Sequence, residues 1–536
     1  MTSGSKAVFL NGKIRIKKDK WVEEGALACE GGKIIASGDK SQVVSLYGDW
    51  PKVDLKQKTV LAGFNDSHLH FYQLGADKTA LDLSDVKDKR ELKQKISAKI
   101  NREQDSSIIK GVRLNDSRLA AKEMPDIDFL DSLSSNQPII IQRICYHAAA
   151  VNSAALKLAG ITKNTADPEG GKIGRFADGS PNGRLFDSAV DLVLTSLPEP
   201  STSTVGQRLK KAGKELLKFG ITSAGIDDLK ALKDTRKMLS AYHLYQQKDF
   251  PKPRLYIQQR CKNQEDIAEL TRISQRTSAG NLSFRYGPIK IMLDGSLGAK
   301  TAALSEPYLA EPNNKGDLLL SPEKLTAMLK KCYQEGFVPA IHAIGDRAIA
   351  TALSCCQKSA PNLRKLAESQ IVHCQLTTPE LIERLGKAKI KLLVQPVFLK
   401  SDYQLLEDRL SPELISNSYA WRSLIDQGAK LAFSSDAPIE EVNPFAGIEA
   451  AITRTDWDYQ PAEGFNPREK LTLEEALELY TKAGALISGE GEQKGWLTPG
   501  QLADFIVIEE DPRRLKAKYL TNIKVQSTYL AGTRAY

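Results

Sequence analysis

The sequence predicts an α/β chain: a (β/α)8, TIM-like barrel with a small β domain built from both termini and a subdomain inserted after the first barrel strand. Three observations carry this prediction. From about residue 206, short apolar runs alternate with amphipathic helical stretches, the pattern of βα units and a parallel sheet. Counted with the run that leads into His68, those apolar runs number eight, the closure number of such a barrel. The two ends of the chain carry only short strands and turns, too few at either end for a sheet of its own.

Taken in order, Ala7–Leu10 and Lys13–Ile16 read as strands joined by Asn11-Gly12, a strong type I′ hairpin signal. Ala26–Cys29 and Lys33–Ala36 follow across Glu30-Gly31-Gly32, and Thr59-Val60-Leu61 ends the region. At the other end, Leu502–Ile508 and Val525–Leu530 are strand-like. Residues 1–61 and 486–536 are therefore expected to share one β domain, around a barrel of residues 62–485. Within that span, the stretch from about 76 to 205 is too long for a structureless loop and reads as an insertion. It would emerge at the C-terminal face of the barrel, where barrel active sites form. The remaining strands are expected at 221–224, 255–258, 288–293, 338–342, 370–373, 391–395 and 430–434, with helices such as 322–334, 349–359 and 379–385 between them.

Composition excludes several classes of function. The formal charge of +9 arises from 75 Lys and Arg against 66 Asp and Glu, and the basic residues stand singly or in pairs such as Lys210-Lys211. That is a solvated surface, with no block to bind nucleic acid or a membrane. Seven cysteines without paired spacing give no zinc-finger or disulfide framework and suit free thiols in a reducing compartment. No long apolar segment marks a signal or a membrane span. A cytoplasmic enzyme with a small-molecule substrate is the expectation; the oligomeric state is silent, with a homodimer allowed.

Histidine is scarce, and its placement is informative. Of six histidines, His68 and His70 form an H-L-H pair after an apolar run, and His342 and His373 end two others. Residues two apart on a strand share a face, so His68 and His70 can grip one divalent ion at the mouth of a barrel. His243 lies in a helical run, 239–247, and reads as structural. Lys290 is a lysine inside an apolar strand, expensive to keep charged without a partner. Asp294 shares its parity and is either loop architecture or a substrate-positioning group.

Gly63-Phe64-Asn65-Asp66-Ser67-His68-Leu69-His70 resembles the metal motif of the amidohydrolase superfamily, usually P-G-F-I-D-x-H-x-H, with Ala62 and Asn65 as departures that would not touch a metal. Lys290–Gly298, His342–Ala348, Ser435-Asp436-Ala437-Pro438 and Leu497–Phe505 resemble the amidohydrolase family 3 branch, which includes N-substituted formamide deformylases. The resemblance implies metal ligands at His68, His70, Lys290, His342, His373 and Asp436, with zinc preferred and one or two ions. It also implies a CO2-derived carbamate on Lys290 that bridges the ions. Asp436 would be the acid/base group, while a metal-activated hydroxide attacks a carbonyl carbon. Arg143 and His147 match an R-x-x-x-H-x-x-x-x-N-S string and would face the substrate with Asp294. The implied reaction is hydrolysis of a non-peptide carbon–nitrogen bond in an amide, formamide or cyclic amide. Hydrolysis of an ester or lactone at the same site, and a non-catalytic regulatory protein on this scaffold, are the alternatives.

Overall fold

The structure is a computed structural model that describes residues 6–102, 108–116, 119, 123–143, 146, 148–168, 171–229, 231–276, 283–309 and 311–536. The chain divides into two compact units, Met1–Phe71 with Gly213–Tyr536, and Tyr72–Ala212.

The first unit holds the expected barrel. Its strands are β1 (Phe64–Leu69), β2 (Ile221–Ile226), β3 (Arg254–Arg260), β4 (Phe284–Met292), β5 (Pro339–Ala343), β6 (Gln370–His373), β7 (Lys391–Val394) and β8 (Lys430–Phe433). Each pairs in parallel with the next, from β1 round to β8. The register sets Lys290 opposite Ala340, His342 opposite Val372, and Ala343 opposite His373. Ala340, Val372, Leu393 and Ala432 pack on Ile487 in the interior, as small and branched side chains must where strands converge.

No ladder joins β8 to β1. The seam is closed just beyond the strands instead, where Asp436 N donates to His68 O at 2.9 Å and His70 N donates to Ala437 O at 2.8 Å. Beneath these bonds, the buried Asp66 carboxylate accepts the backbone N–H of Ser435 at 3.0 Å and its hydroxyl at 2.5 Å. The closing contacts therefore hold the two histidines and Asp436 in one register.

Helices are set by local caps. Pro322–Gln334 starts with proline in its first turn behind Ser321, whose hydroxyl accepts Lys324 N. The helix after β5 begins at Asp346, three residues earlier than the sequence suggests, and the one capped by Thr378 runs on to Ala388.

Strands from both ends of the chain share one further sheet, in the order Thr533–Arg534, Val525–Leu530, Phe505–Ile508, Thr59–Ala62, Lys6–Lys17, Lys20–Glu30, Lys33–Asp39. The Asn11-Gly12 hairpin is corrected. Lys6–Lys17 is one strand, and Asn11, at φ 60°, forms a bulge within it. Before the bulge the strand pairs with Lys52–Asp54, and after it with Thr59–Ala62. The Asn11 amide donates to Asp54 at 2.9 Å across that change of partner. The hairpin turn comes at Lys18-Asp19. Thr59–Ala62 belongs to the terminal sheet and only Phe64–Leu69 to the barrel. Gly63 lies at the crossing, where a Cβ would come within 2.4 Å of the Thr222 side chain.

The second unit carries a six-stranded sheet, ordered Gly171–Arg175, Pro181–Asp187, Ala148–Val151, Ile139–Arg143, Ile109–Leu114, Leu81–Asp82. Apolar clusters cover both of its faces, one around Ile109, Ile139 and Ile141 and the other around Ile140, Val151 and Leu185. Among the described residues of the whole chain, no helix is long and apolar enough to cross a membrane, and the six described cysteines are free and buried.

Candidate metal centre

The strand ends bring six predicted residues together. His68 lies in β1 and His70 one residue past it; Lys290 is in β4, His342 in β5 and His373 at the end of β6, and Asp436 follows β8. Nε2 of His68 and of His70 lie 3.4 and 3.2 Å from Asp436 Oδ1. Lys290 Nζ is 3.5 Å from His68 Nε2. The His373 ring centroid stands 4.5 Å from that of His342 and 5.7 Å from that of His68. His68, His373 and Asp436 offer ligand atoms within 4.8 Å of one another. His373 and Asp436 hold φ values of 80° and 58°, strained for residues with side chains and typical of groups fixed by function.

Hydrogen bonds on the outer ring nitrogens assign the imidazole tautomers. His68 Nδ1 bonds Gln258 Oε1 at 2.8 Å, His373 Nδ1 bonds Gln395 Oε1 at 2.9 Å, and His70 Nδ1 bonds the Asp227 carbonyl at 2.9 Å. Each of these acceptors takes an Nδ1–H and leaves the Nε2 lone pair for the centre, as partners of metal-ligating histidines do. His342 is reversed: its Nε2 bonds the Gly295 carbonyl at 3.0 Å, which leaves Nδ1 as the available nitrogen.

Asp436 Oδ1 is buried and has no hydrogen-bond donor while the His70 ring is neutral. A carboxylate oxygen facing two imidazole lone pairs is a costly arrangement unless a proton or a metal ion lies between them. The donor set of imidazole nitrogens and a carboxylate suits a divalent ion, so the residues present fit a metal. At His70, burial pushes the imidazole down, but the hydrogen bond and charge of Asp436 and the charge of Asp227 outweigh it and bring the pKa up to about 9. Without metal, a proton at His70 thus occupies the gap beside Asp436. Burial, aided by the charge of Lys290, takes His342 down to about 3, and burial likewise holds His68 and His373 well below the ordinary range. Lys290 is 1% exposed, and no carboxylate among the described residues lies within 4.0 Å of it. Burial, with help from Arg260, lowers its amine to about 8 against the pull of Asp227 and Asp436.

A family model described as the amidohydrolase family matches residues 52–536. The chain belongs to the amidohydrolase family. It is 32% identical to YtcJ of Bacillus subtilis strain 168, named as an amidohydrolase, over 99% of both chains. It is 23% identical to the N-substituted formamide deformylase of Arthrobacter pascens, over 100% of this chain and 99% of that one. A solved metal-dependent hydrolase of uncharacterised function from Pyrococcus horikoshii superposes with a TM-score of 0.78 at 27% identity, covering 96% of this chain and 99% of its own. This amidohydrolase-family fold and its His68–His373–Asp436 cluster support a metal-dependent hydrolase that holds a divalent ion.

Of the other predicted residues, Asp294 borders the centre, with Oδ1 3.5 Å from His342 Nε2. Asp294 is fully buried, and its carboxylate accepts the backbone N–H groups of Ala303, Ile344 and Gly345 at 3.1, 3.1 and 2.9 Å. It ties the loop after β4 to the loop after β5, so of its two roles this geometry supports loop architecture. Arg143, at the end of its strand in the second unit, donates to Asp116 at 2.7 Å. His147 lies outside the described residues. His243 packs on Phe284 and lies 3.3 Å from the Tyr286 hydroxyl, a structural position. Sequence reasoning missed Gln258, Gln395, Asp227 and Asp66. The signal that singled out Lys290, a polar residue within a buried strand, was equally present at Gln258.

Proposed function

We propose that this protein hydrolyses a carbon–nitrogen bond outside peptides, in an amide, an N-substituted formamide or a cyclic amide. The observation that carries the reading is Asp436 Oδ1, buried against the Nε2 atoms of His68 and His70 and without a donor while His70 is neutral. Relatedness along the whole chain to an N-substituted formamide deformylase supports this choice of bond.

His68, His70, His342, His373, Lys290 and Asp436 are the residues that would hold one or two divalent ions, zinc being suited to this imidazole and carboxylate set. When bound, such an ion lowers the pKa of a water from about 15.7 to ~7 and polarises a carbonyl oxygen. Asp436 takes the proton from the attacking water and delivers it to the departing nitrogen, which leaves poorly as an anion. Gln258, Gln395 and the Asp227 carbonyl keep three imidazoles in the tautomer that presents Nε2. The low pKa of Lys290 supplies neutral amine, which adds CO2 and loses one proton to give a carbamate, an anionic ligand in place of a cation.

The test is metal analysis of protein purified without added metal, as wild type, Lys290→Ala and His342→Ala, alongside turnover of an amide, formamide and ester panel. Two equivalents of metal falling to one or none in the variants, with amide or formamide turnover in the wild type, support the reading. One equivalent unchanged in both variants removes the bridged pair, and ester turnover alone removes the carbon–nitrogen assignment.

A further inference from the structure

Asn65 stands where the superfamily motif has an apolar residue, and the structure gives it a use. Asn65 and Ser67 in β1 and Gln370 at the start of β6 line one small cavity towards the N-terminal ends of the barrel strands, with the candidate metal ligands further along the same two strands. Each residue brings a buried polar atom without a hydrogen-bond partner: Asn65 Nδ2, Ser67 Oγ and Gln370 Oε1. The three residues are only 5%, 6% and 1% exposed, so bulk solvent does not satisfy them. Buried amides and hydroxyls are costly to leave unpaired.

The walls of the cavity are fixed. Asn65 N donates to Tyr480 O at 2.6 Å, and Ser67 O accepts Gln258 Nε2 at 3.3 Å. Gly484, in the helix Lys482–Ile487, lines the same space, and a Cβ there would come within 2.9 Å of the Asn65 side chain. Glycine at that position therefore keeps the room beside Asn65 open.

Size and charge select what the cavity takes. It leaves about 10 Å³ for the centre of a water-sized molecule, the room one water needs and too little for a larger ligand. The charged groups at its wall already have partners. Lys494 Nζ lies 2.8 Å from Glu490 and 2.6 Å from Ser223 Oγ, and Arg254 donates to Asp504 at 2.7 and 3.0 Å. No unmatched charge calls for an ion. The amide N–H of Asn65 needs an acceptor, the amide oxygen of Gln370 needs a donor, and the Ser67 hydroxyl serves as either. One small neutral molecule that both donates and accepts meets all three.

We propose that this cavity binds a single water, held by Asn65 Nδ2, Ser67 Oγ and Gln370 Oε1, and that the water fastens β1 to β6 across the barrel interior. No backbone ladder joins these two strands, which lead to His68 and His70 on one side and to His373 on the other. The site is independent of the hydrolytic reading above.

The test is a crystal structure of the full-length protein at a resolution that shows ordered water, with the thermal stability of Asn65→Leu and of Asn65→Leu/Ser67→Ala/Gln370→Leu measured beside it. The wild type should show one water within about 2.7–3.2 Å of all three atoms. Asn65→Leu keeps the shape of the side chain but strands Ser67 and Gln370, and should lower Tm by about 2–4 °C. The triple variant also removes the two stranded groups and should regain most of that loss. Three atoms paired with protein groups and no water between them would overturn the proposal. So would an ion in the cavity, or an Asn65→Leu variant as stable as the wild type. If Asn65→Leu does not fold, the wild-type density decides alone.

Discussion

Lys290 and Lys400 are both buried lysines, and the molecule treats them in opposite ways. Lys400 Nζ lies 2.9 Å from Glu449 Oε1, with both side chains 1% exposed, and it also donates to the Asp456 carbonyl. Glu449 in turn accepts Thr521. Every charge there has its opposite, as a structural ion pair requires. Among the described residues Lys290 has no acid within ion-pair distance and meets an imidazole at 3.5 Å, with an Asp436 oxygen nearby that lacks a donor while His70 is neutral. Buried polar groups that are matched hold a fold together. Those left unmatched, at strand ends where four histidines converge, are held ready for something the polypeptide does not supply.

The largest effect should come from the unmatched group with the most direct chemical role. Asp436→Asn should lower kcat by about 10²–10⁴, the usual worth of a general acid/base, with the far-ultraviolet circular dichroism retained. Turnover within three-fold of wild type would remove Asp436 from the proton path.

Next come the two lysines themselves. Lys400→Met leaves Glu449 buried and unpaired and should destabilise the fold by roughly 3–5 kcal/mol in urea unfolding. Lys290→Met should change stability by less than about 1 kcal/mol, because no partner charge is abandoned, while metal content falls. Equal destabilisation by the two would erase the contrast.

Smaller effects should follow from the groups that orient the ligands. Gln258→Ala or Gln395→Ala frees one imidazole to take the wrong tautomer and should weaken metal affinity by about 10–100-fold, read by competition with a chelator. Affinity unchanged in both would show that the rings are fixed by packing alone.

The last prediction concerns pH. His70 is raised to about 9 in the metal-free protein, above the ordinary imidazole value of 6.5. A raised pKa means stability that is fully present below the unfolded value and lost as pH climbs through the folded one. The Tm of the metal-free protein should therefore decline between about pH 6.5 and 9. The metal-loaded protein should lack that decline, since the ion replaces the proton. Parallel curves for the two forms would separate His70 from the metal.

Much of this was legible from residue order, for physical reasons. Buried parallel strands are short continuous apolar runs, so β2 to β8 stand out between helical stretches. The ligands stand out because histidine is rare and lies at the ends of those runs. What was illegible depends on contacts distant in sequence. His70 meets the Asp227 carbonyl across 157 residues and His68 meets Gln258 across 190, and although Gln258 stands out as a polar residue in a buried strand, nothing local says which group either partner meets. Asn11-Gly12 misled for the converse reason. Its local signal is genuine, and Asn11 does hold a positive φ, but Asp54 and two parallel neighbours turn it into a bulge. Gly63 shows the same limit, because only its closeness to Thr222 separates two strands that read as one run.

The most direct test of the central claim is anomalous diffraction at the zinc edge from crystals of the zinc-loaded protein. The account predicts a peak in contact with His68 Nε2, His70 Nε2 and Asp436 Oδ1, with His70 no longer sharing a proton with that oxygen. Zinc bound only elsewhere, with the His70–Asp436 hydrogen bond intact, would contradict it.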